Sequence, residues 1–251
     1  MPEELDISKL LYDVKQGFVV LLPSGSSATV REMTGHDQRK FMNKTALANG
    51  TAINDLLANC TDTIDDQPLP SDPKERVTAI LDLLEGDRSA LLFGIRRHSL
   101  GDEFIFTMEC PHCKRKETWE VDLASQDFSF KAYPHGKDKA IEYDSKVLPG
   151  LTVKVRLLDG HGSMAVMKKG DAMDLLTDLE VRLPQYKNKD QWVGMKLQLV
   201  SDRVLGELRQ KLREAEGQVD SRVTVTCKNC SNPATFDLLQ VPDFMIPNVT
   251  S

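Results

Sequence analysis

FTMECPHC (residues 106–113) and VTVTCKNC (residues 223–230) share one layout: strand-forming residues lead into Cys-x2-Cys. A second strand-like run leaves each pair, over residues 117–123 and 234–239. Two thiols on a tight turn between strands converge from one loop, and turn amides can donate to the sulfurs. Such a knuckle is half of a tetrahedral zinc site, and zinc wants four ligands. Cys110, Cys113, Cys227 and Cys230 supply four thiolates, so the expectation is one structural Zn2+ per chain. The 113 residues between the pairs exceed what an ordinary zinc ribbon uses. Reduced thiols or disulfides are the alternative. A thioredoxin-type redox pair fits less well, since that motif sits at a helix start and these sit between strands. His112 lies inside the first pair, but four thiolates already fill the site. Cys60 falls in a helical pattern with Leu56 and Leu57 and reads as a buried apolar residue.

The long spacing has an explanation in the rest of the chain, which repeats itself. LLPSGSSATVREMTGHDQ (residues 21–38) matches VLPGLTVKVRLLDGHGS (residues 147–163): Leu-Pro, a small turn, a Val-Arg strand, then Gly-His. NGTAINDLLANC (residues 49–60) matches KGDAMDLLTDL (residues 169–179). GDRSALLFGIRRHSLG (residues 86–101) matches SDRVLGELRQKLREAEG (residues 201–217). The knuckles come last in each series, and the order is the same in both. Each copy therefore reads as a β-hairpin, helices and a zinc knuckle. The turns fall at Pro23-Ser24-Gly25 and Pro149-Gly150. Ser71-Asp72-Pro73 and Ser201-Asp202 start helices, Ile80, Leu81, Leu83 and Leu84 supply an apolar face, and Gly101 and Gly217 stop the last helices.

The expected fold class is α+β, with two internally duplicated halves joined by a shared four-cysteine zinc ribbon, because hairpins dominate over parallel crossovers. The first repeat, with an N-terminal extension and the first knuckle, spans 1–128; a linker spans 129–146; the second repeat, second knuckle and an extended C-terminal tail span 147–251. Residues 62–71 read as a polar loop. In the tail, between Pro242 and Pro247, Phe244, Met245 and Ile246 form a candidate docking strand for a neighbour.

Of the 251 residues, 40% are apolar and 28% charged, which is enough apolar material for a core and excludes a collagen-like or wholly disordered chain. Net charge is −6, and no long run is densely basic, which argues against a nucleic-acid binder. The opening MPEELDISKLLYDVKQ lacks a basic-then-apolar signal pattern, and no apolar run approaches the roughly 20 residues needed to span a bilayer. A soluble chain made in a cytoplasm is expected, where cysteines favour thiols or metal over disulfides.

Other candidate groups have plainer readings. His36 and His161 recur at Gly-His as a repeated turn or cap. His98 and His135 have no companion pattern. Asp65 and Asp66, like Asp171 and Asp174, read as solvated faces rather than paired catalytic acids. Arg96 and Arg97 beside His98 suit a helix C-terminus, or else a contact to an acidic partner. No Gly-rich phosphate loop, HExxH or Gly-x-Ser-x-Gly element is present, so no enzyme is expected.

Leu-Pro-Ser-Gly (22–25), Val30-Arg31, Thr-Gly-His-Asp-Gln (34–38), Arg-x3-Gly (97–101), Cys-Pro-x-Cys (110–113) and Val-Asp-Leu (121–123) follow one another in this order. In that series the chain resembles the baseplate hub and hub-assembly proteins of T-even-like tailed bacteriophages. It departs slightly where His36 and Asp37 follow Gly35 directly, and its second knuckle reads Cys-Lys-Asn-Cys. The resemblance implies a non-enzymatic structural or assembly protein of a phage tail baseplate. It implies other tail proteins, or a second copy of the chain, as partners, and no nucleic acid or membrane. The implied location is the virion, with host cytoplasm during assembly. The reading from another class is a zinc-ribbon regulator binding nucleic acid or RNA polymerase, for which Lys114, Arg115 and Lys116 supply the basic charge.

Overall fold

The computed structural model describes residues 17–125, 130–169, 175–241 and 244–246. The opening sixteen residues, Gly170, Asp171, Asp174, Pro242 and Pro247 lie outside the described residues, as does part of the expected linker. Among the described residues the chain forms eight α-helices and several small antiparallel sheets.

Strands β1 (Phe18–Leu21) and β2 (Ser27–Val30) pair with Val20 opposite Ala28. Their turn closes through Gly25, at φ 85, a conformation open to glycine. After β2 the chain enters helix α1 (Gly35–Phe41) through a capping box: Thr34 accepts from the Asp37 amide, and Asp37 accepts from the Thr34 amide. Arg31 pairs with Asp37 at 2.9 Å. Helices α2 (Lys44–Ala48) and α3 (Thr51–Cys60) follow, and then β3 (Thr61–Ile64) and β4 (Gln67–Pro68) complete a sheet of order β1-β2-β3-β4. The stretch expected as a polar loop is thus partly a hairpin. Asp65 and Asp66 both adopt positive φ, 50 and 61, as a two-residue hairpin turn requires. Helix α4 (Pro73–Leu81) starts where expected: Asp72 accepts from the amides of Lys74 and Glu75, and Pro73 occupies the first turn. Helix α5 (Glu85–Leu100) ends at Gly101, φ 78, and leads into β5 (Glu103–Glu109) and β6 (Lys116–Asp122).

The second half runs through a similar order. After β7 (Phe130–Lys131), strands β8 (Ala140–Asp144) and β9 (Thr152–Arg156) form a hairpin around Gly150, φ 84. Both β7 and β8 lie inside the stretch read as a linker. Helices α6 (Gly160–Lys168) and α7 (Leu175–Val181) precede β10 (Gln185–Asn188) and β11 (Gln191–Gly194), giving a sheet of order β11-β10-β9-β8. Asp159 caps α6, and Arg156 pairs with it at 3.0 Å; in the first half the cap is Thr34, and Arg31 pairs instead with Asp37 in the first turn. Helix α8 (Asp202–Ala215) buries Val204, Leu205, Leu208 and Leu212 on one stripe. Strand β12 (Gln218–Val219) pairs with β7, and β13 (Arg222–Thr226) with β14 (Pro233–Asp237).

Two apolar cores result. The smaller gathers the second sheet and α8 around Val155, Leu179 and Leu208. The larger contains the first half, and also Val223, Leu238, Phe244 and Met245 from the far end of the chain. Phe244 is 2% exposed and stacks on Phe93, with its ring edge-on to Phe104. This corrects the expected docking strand: Phe244 and Met245 are part of the chain's own core. At the junction of the halves the Glu85 amide donates to Leu158, and that of Gly160 donates to Leu83.

Candidate metal centre

Each cysteine pair sits at the tip of a two-stranded hairpin. In β5–β6, Phe104 and Phe106 face inward opposite Val121 and Trp119, so the larger core grips one face. On the outer face Thr107 and Thr118 hydrogen-bond across the strands at 2.8 Å. In β13–β14, Thr224 and Thr235 make the same contact at 2.9 Å. The tips also match. The Cys110 amide donates to Arg115 and the Lys114 amide to Cys110; the Cys227 amide donates to Asn232 and the Ser231 amide to Cys227. The residue after each second cysteine is left-handed, Lys114 at φ 60 and Ser231 at φ 57. That tight turn brings both sulfurs of a pair to the same side.

The two tips face each other. All four Sγ atoms lie within 4.8 Å of one another. Cys110 Sγ is 3.9 Å from Cys230 Sγ, and Cys113 Sγ is 3.8 Å from Cys227 Sγ. These spacings far exceed a disulfide bond of about 2.05 Å. A tetrahedron with Zn–S of about 2.3 Å has edges of about 3.8 Å. The donor set, its spacing and its burial therefore fit a four-coordinate thiophilic metal: Cys110 and Cys227 are fully buried, Cys113 and Cys230 partly. The Cys113 amide pulls the Cys110 thiol down to about 6 against the effect of burial, and the His112 amide adds to it. The Glu117 carboxylate and burial push the Cys227 thiol up to about 12.

Polar contacts also join the tips. Glu117, at the base of the first knuckle, accepts from Cys227 Sγ at 3.0 Å and from the Lys228 amide at 3.0 Å. His112 Nε2 lies 2.9 Å from the Pro233 carbonyl oxygen, and Arg115 donates to Asn229. No motif in the sequence singles out Glu117. Alternation along β6 does place it on the inner face with Trp119 and Val121, and a carboxylate on an inner face is the signal that finds it.

The remaining candidates stand apart from the four sulfurs. Cys60 is buried at the end of α3, and burial raises its thiol to about 12. His36 and His161 each occupy the second position of a helix, in α1 and α6. Asp65 accepts from Ser26, Ser27 and Lys137, which makes it a turn brace. Of the cluster at residues 96–98, Arg96 is out of reach of any partner. Arg96 is fully buried, donates to the carbonyls of Gly101 and Glu103, and lies against the rings of Phe104 and Phe244. Arg97 pairs with Asp102, and His98 stacks on Phe18.

Comparison with known families matches residues 16–246 to the model of the T4 bacteriophage base plate protein, and the chain belongs to that family. No curated protein and no solved structure matches it. No helix among the described residues is long and apolar enough to cross a membrane.

Proposed function

We propose that this member of the T4 bacteriophage base plate protein family works in or at the hub of the tail baseplate, as two duplicated halves clamped by one zinc ion. Family membership carries the structural tail role. The four converging sulfurs, with cross-knuckle spacings of 3.8 and 3.9 Å, carry the metal reading. Cys110, Cys113, Cys227 and Cys230 would hold the ion as thiolates. When bound, it supplies cross-linking and no open coordination position. The recurring strand order and the matched knuckle turns support duplication. On this reading the repeats span 1–128 and 147–251, joined through 129–146. Partners are other phage tail proteins or a second copy of the chain, met in the host cytoplasm during assembly and at the virion tail.

The structural logic is rigidity. Binding of a structural zinc is worth on the order of 10 kcal/mol or more to folding. Here it ties the hairpin nearest the C-terminus to the first half's core, which sets the relative orientation of the docking faces. Cys227→Ser removes one of four thiolates, and the expected outcome is metal loss and failed baseplate assembly in a complementation assay. Normal assembly by the metal-free variant would refute the clamp. Salt-sensitive nucleic-acid binding that depends on Lys114, Arg115 and Lys116 would favour the regulator instead.

A further inference from the structure

A cleft of about 710 Å³ opens between α1, α3 and α4, away from the metal centre. Its ionisable lining is Arg31, Lys40, Lys74 and Arg76 against Asp55 and Asp62. Four cations face two carboxylates in a chain whose net charge is −6. The two arginines are held in place. Arg31 is paired with Asp37, and Arg76 donates to the carbonyls of Ala58 and Thr61 with Asp62 at 3.7 Å. The two lysines are exposed, and no ion pair engages either among the described residues. With Arg31 paired to Asp37 and Arg76 beside Asp62, Lys40 and Lys74 are left against Asp55, an excess of one positive charge. Ala58 and Val77 add an apolar floor between the charges.

We propose that this cleft docks a short acidic peptide segment of a neighbouring baseplate protein. The proposal rests on the structural tail role and names the chemistry of one partner. A peptide suits the mixed lining better than a nucleic acid does. A polyphosphate backbone needs an unbroken basic face, and Asp55 and Asp62 interrupt this one. A peptide places carboxylates on the lysines, lays its aliphatic stems over Ala58 and Val77, and offers a backbone N–H to Asp55. Charge complementarity of this kind selects the partner and speeds its encounter.

The test is an NMR titration of the full-length chain with a hexaglutamate peptide. Saturable shifts at the amides of Ala58, Asn59 and Val77 are expected, weakening with added salt. The double variant Lys40→Glu/Lys74→Glu should lower the affinity at least about tenfold. Lys187→Glu, an exposed lysine of β10 on the other sheet, should leave it unchanged. Absence of saturable shifts, an equal loss in Lys187→Glu, or equally tight binding of inorganic phosphate or a single-stranded oligonucleotide would overturn the proposal. Mass spectrometry of purified particles and of assembly intermediates separates the two claims. Failure of peptide binding with the chain present overturns the cleft alone; absence of the chain from both overturns the baseplate role whatever the peptide does.

Discussion

Glu117 and Asp37 show how single carboxylates organise this chain. Glu117 reaches from the first hairpin to the second knuckle and fixes the Lys228 amide beside Cys227. Glu117 holds Cys227 as a thiol, and a metal must displace that proton to gain the fourth sulfur. Glu117→Ala should therefore let zinc bind at lower pH than in wild type, followed by competition with a chromophoric chelator, and an unchanged pH profile would show that the carboxylate does not act on Cys227. At Asp37, burial pushes the carboxyl up. The Arg31 hydrogen bond and the Thr34 amide and hydroxyl outweigh burial and hold it below its ordinary value of 3.8. A carboxyl with a depressed folded-state value stabilises fully above the unfolded value and loses that contribution as pH falls through the folded one. Acid unfolding of wild type should therefore carry a component below about pH 4 that Asp37→Asn lacks; identical acid profiles would contradict this. The convergence of Cys110, Cys113, Cys227 and Cys230 is legible in the sequence because paired Cys-x2-Cys turns have a recognisable spacing. Glu117 is not, because its role depends on a partner 110 residues away.

At the scale of elements, helix starts are easy to read from sequence and strand partners are not. Asp72-Pro73 announces α4 because a capping carboxylate and a proline satisfy the first turn. The β3–β4 hairpin is hidden because Asp65-Asp66 occupies a turn where Asn-Gly or Asp-Gly is the usual signal. Strand β8 is hidden because its five residues turn only Ile141 and Tyr143 toward the core, too few to stand out in a polar stretch. Phe244 misleads because a short apolar run in a proline-bounded tail looks the same whether it docks on a neighbour or on its own core. Its burial against Phe93 and Phe104 yields a prediction: Phe244→Ala should destabilise the chain by about 3–5 kcal/mol in chemical denaturation. A change under about 1 kcal/mol would mean the segment is not packed there. Leu208, fully buried on α8, should cost about 2–5 kcal/mol as Leu208→Ala, read in the same way.

For the whole molecule, the repeated Leu-Pro, Val-Arg, Gly-His and Cys-x2-Cys signatures anticipate two runs of elements in a similar order. They do not anticipate how the runs share cores, since periodicity says which face is apolar and not what covers it. The second hairpin, with Val223, Leu238 and Phe244, joins the first half's core while the second sheet and α8 form their own. The hairpins β5–β6 and β13–β14, distant in sequence, thereby meet with the four cysteines at their contact. The metal at that contact is the central claim, and X-ray absorption at the zinc edge on freshly isolated protein tests it most directly. About one zinc per chain with four sulfur neighbours at about 2.3 Å is the predicted result. Metal-free protein with oxidised cysteines, or a first shell of nitrogen and oxygen, would contradict it.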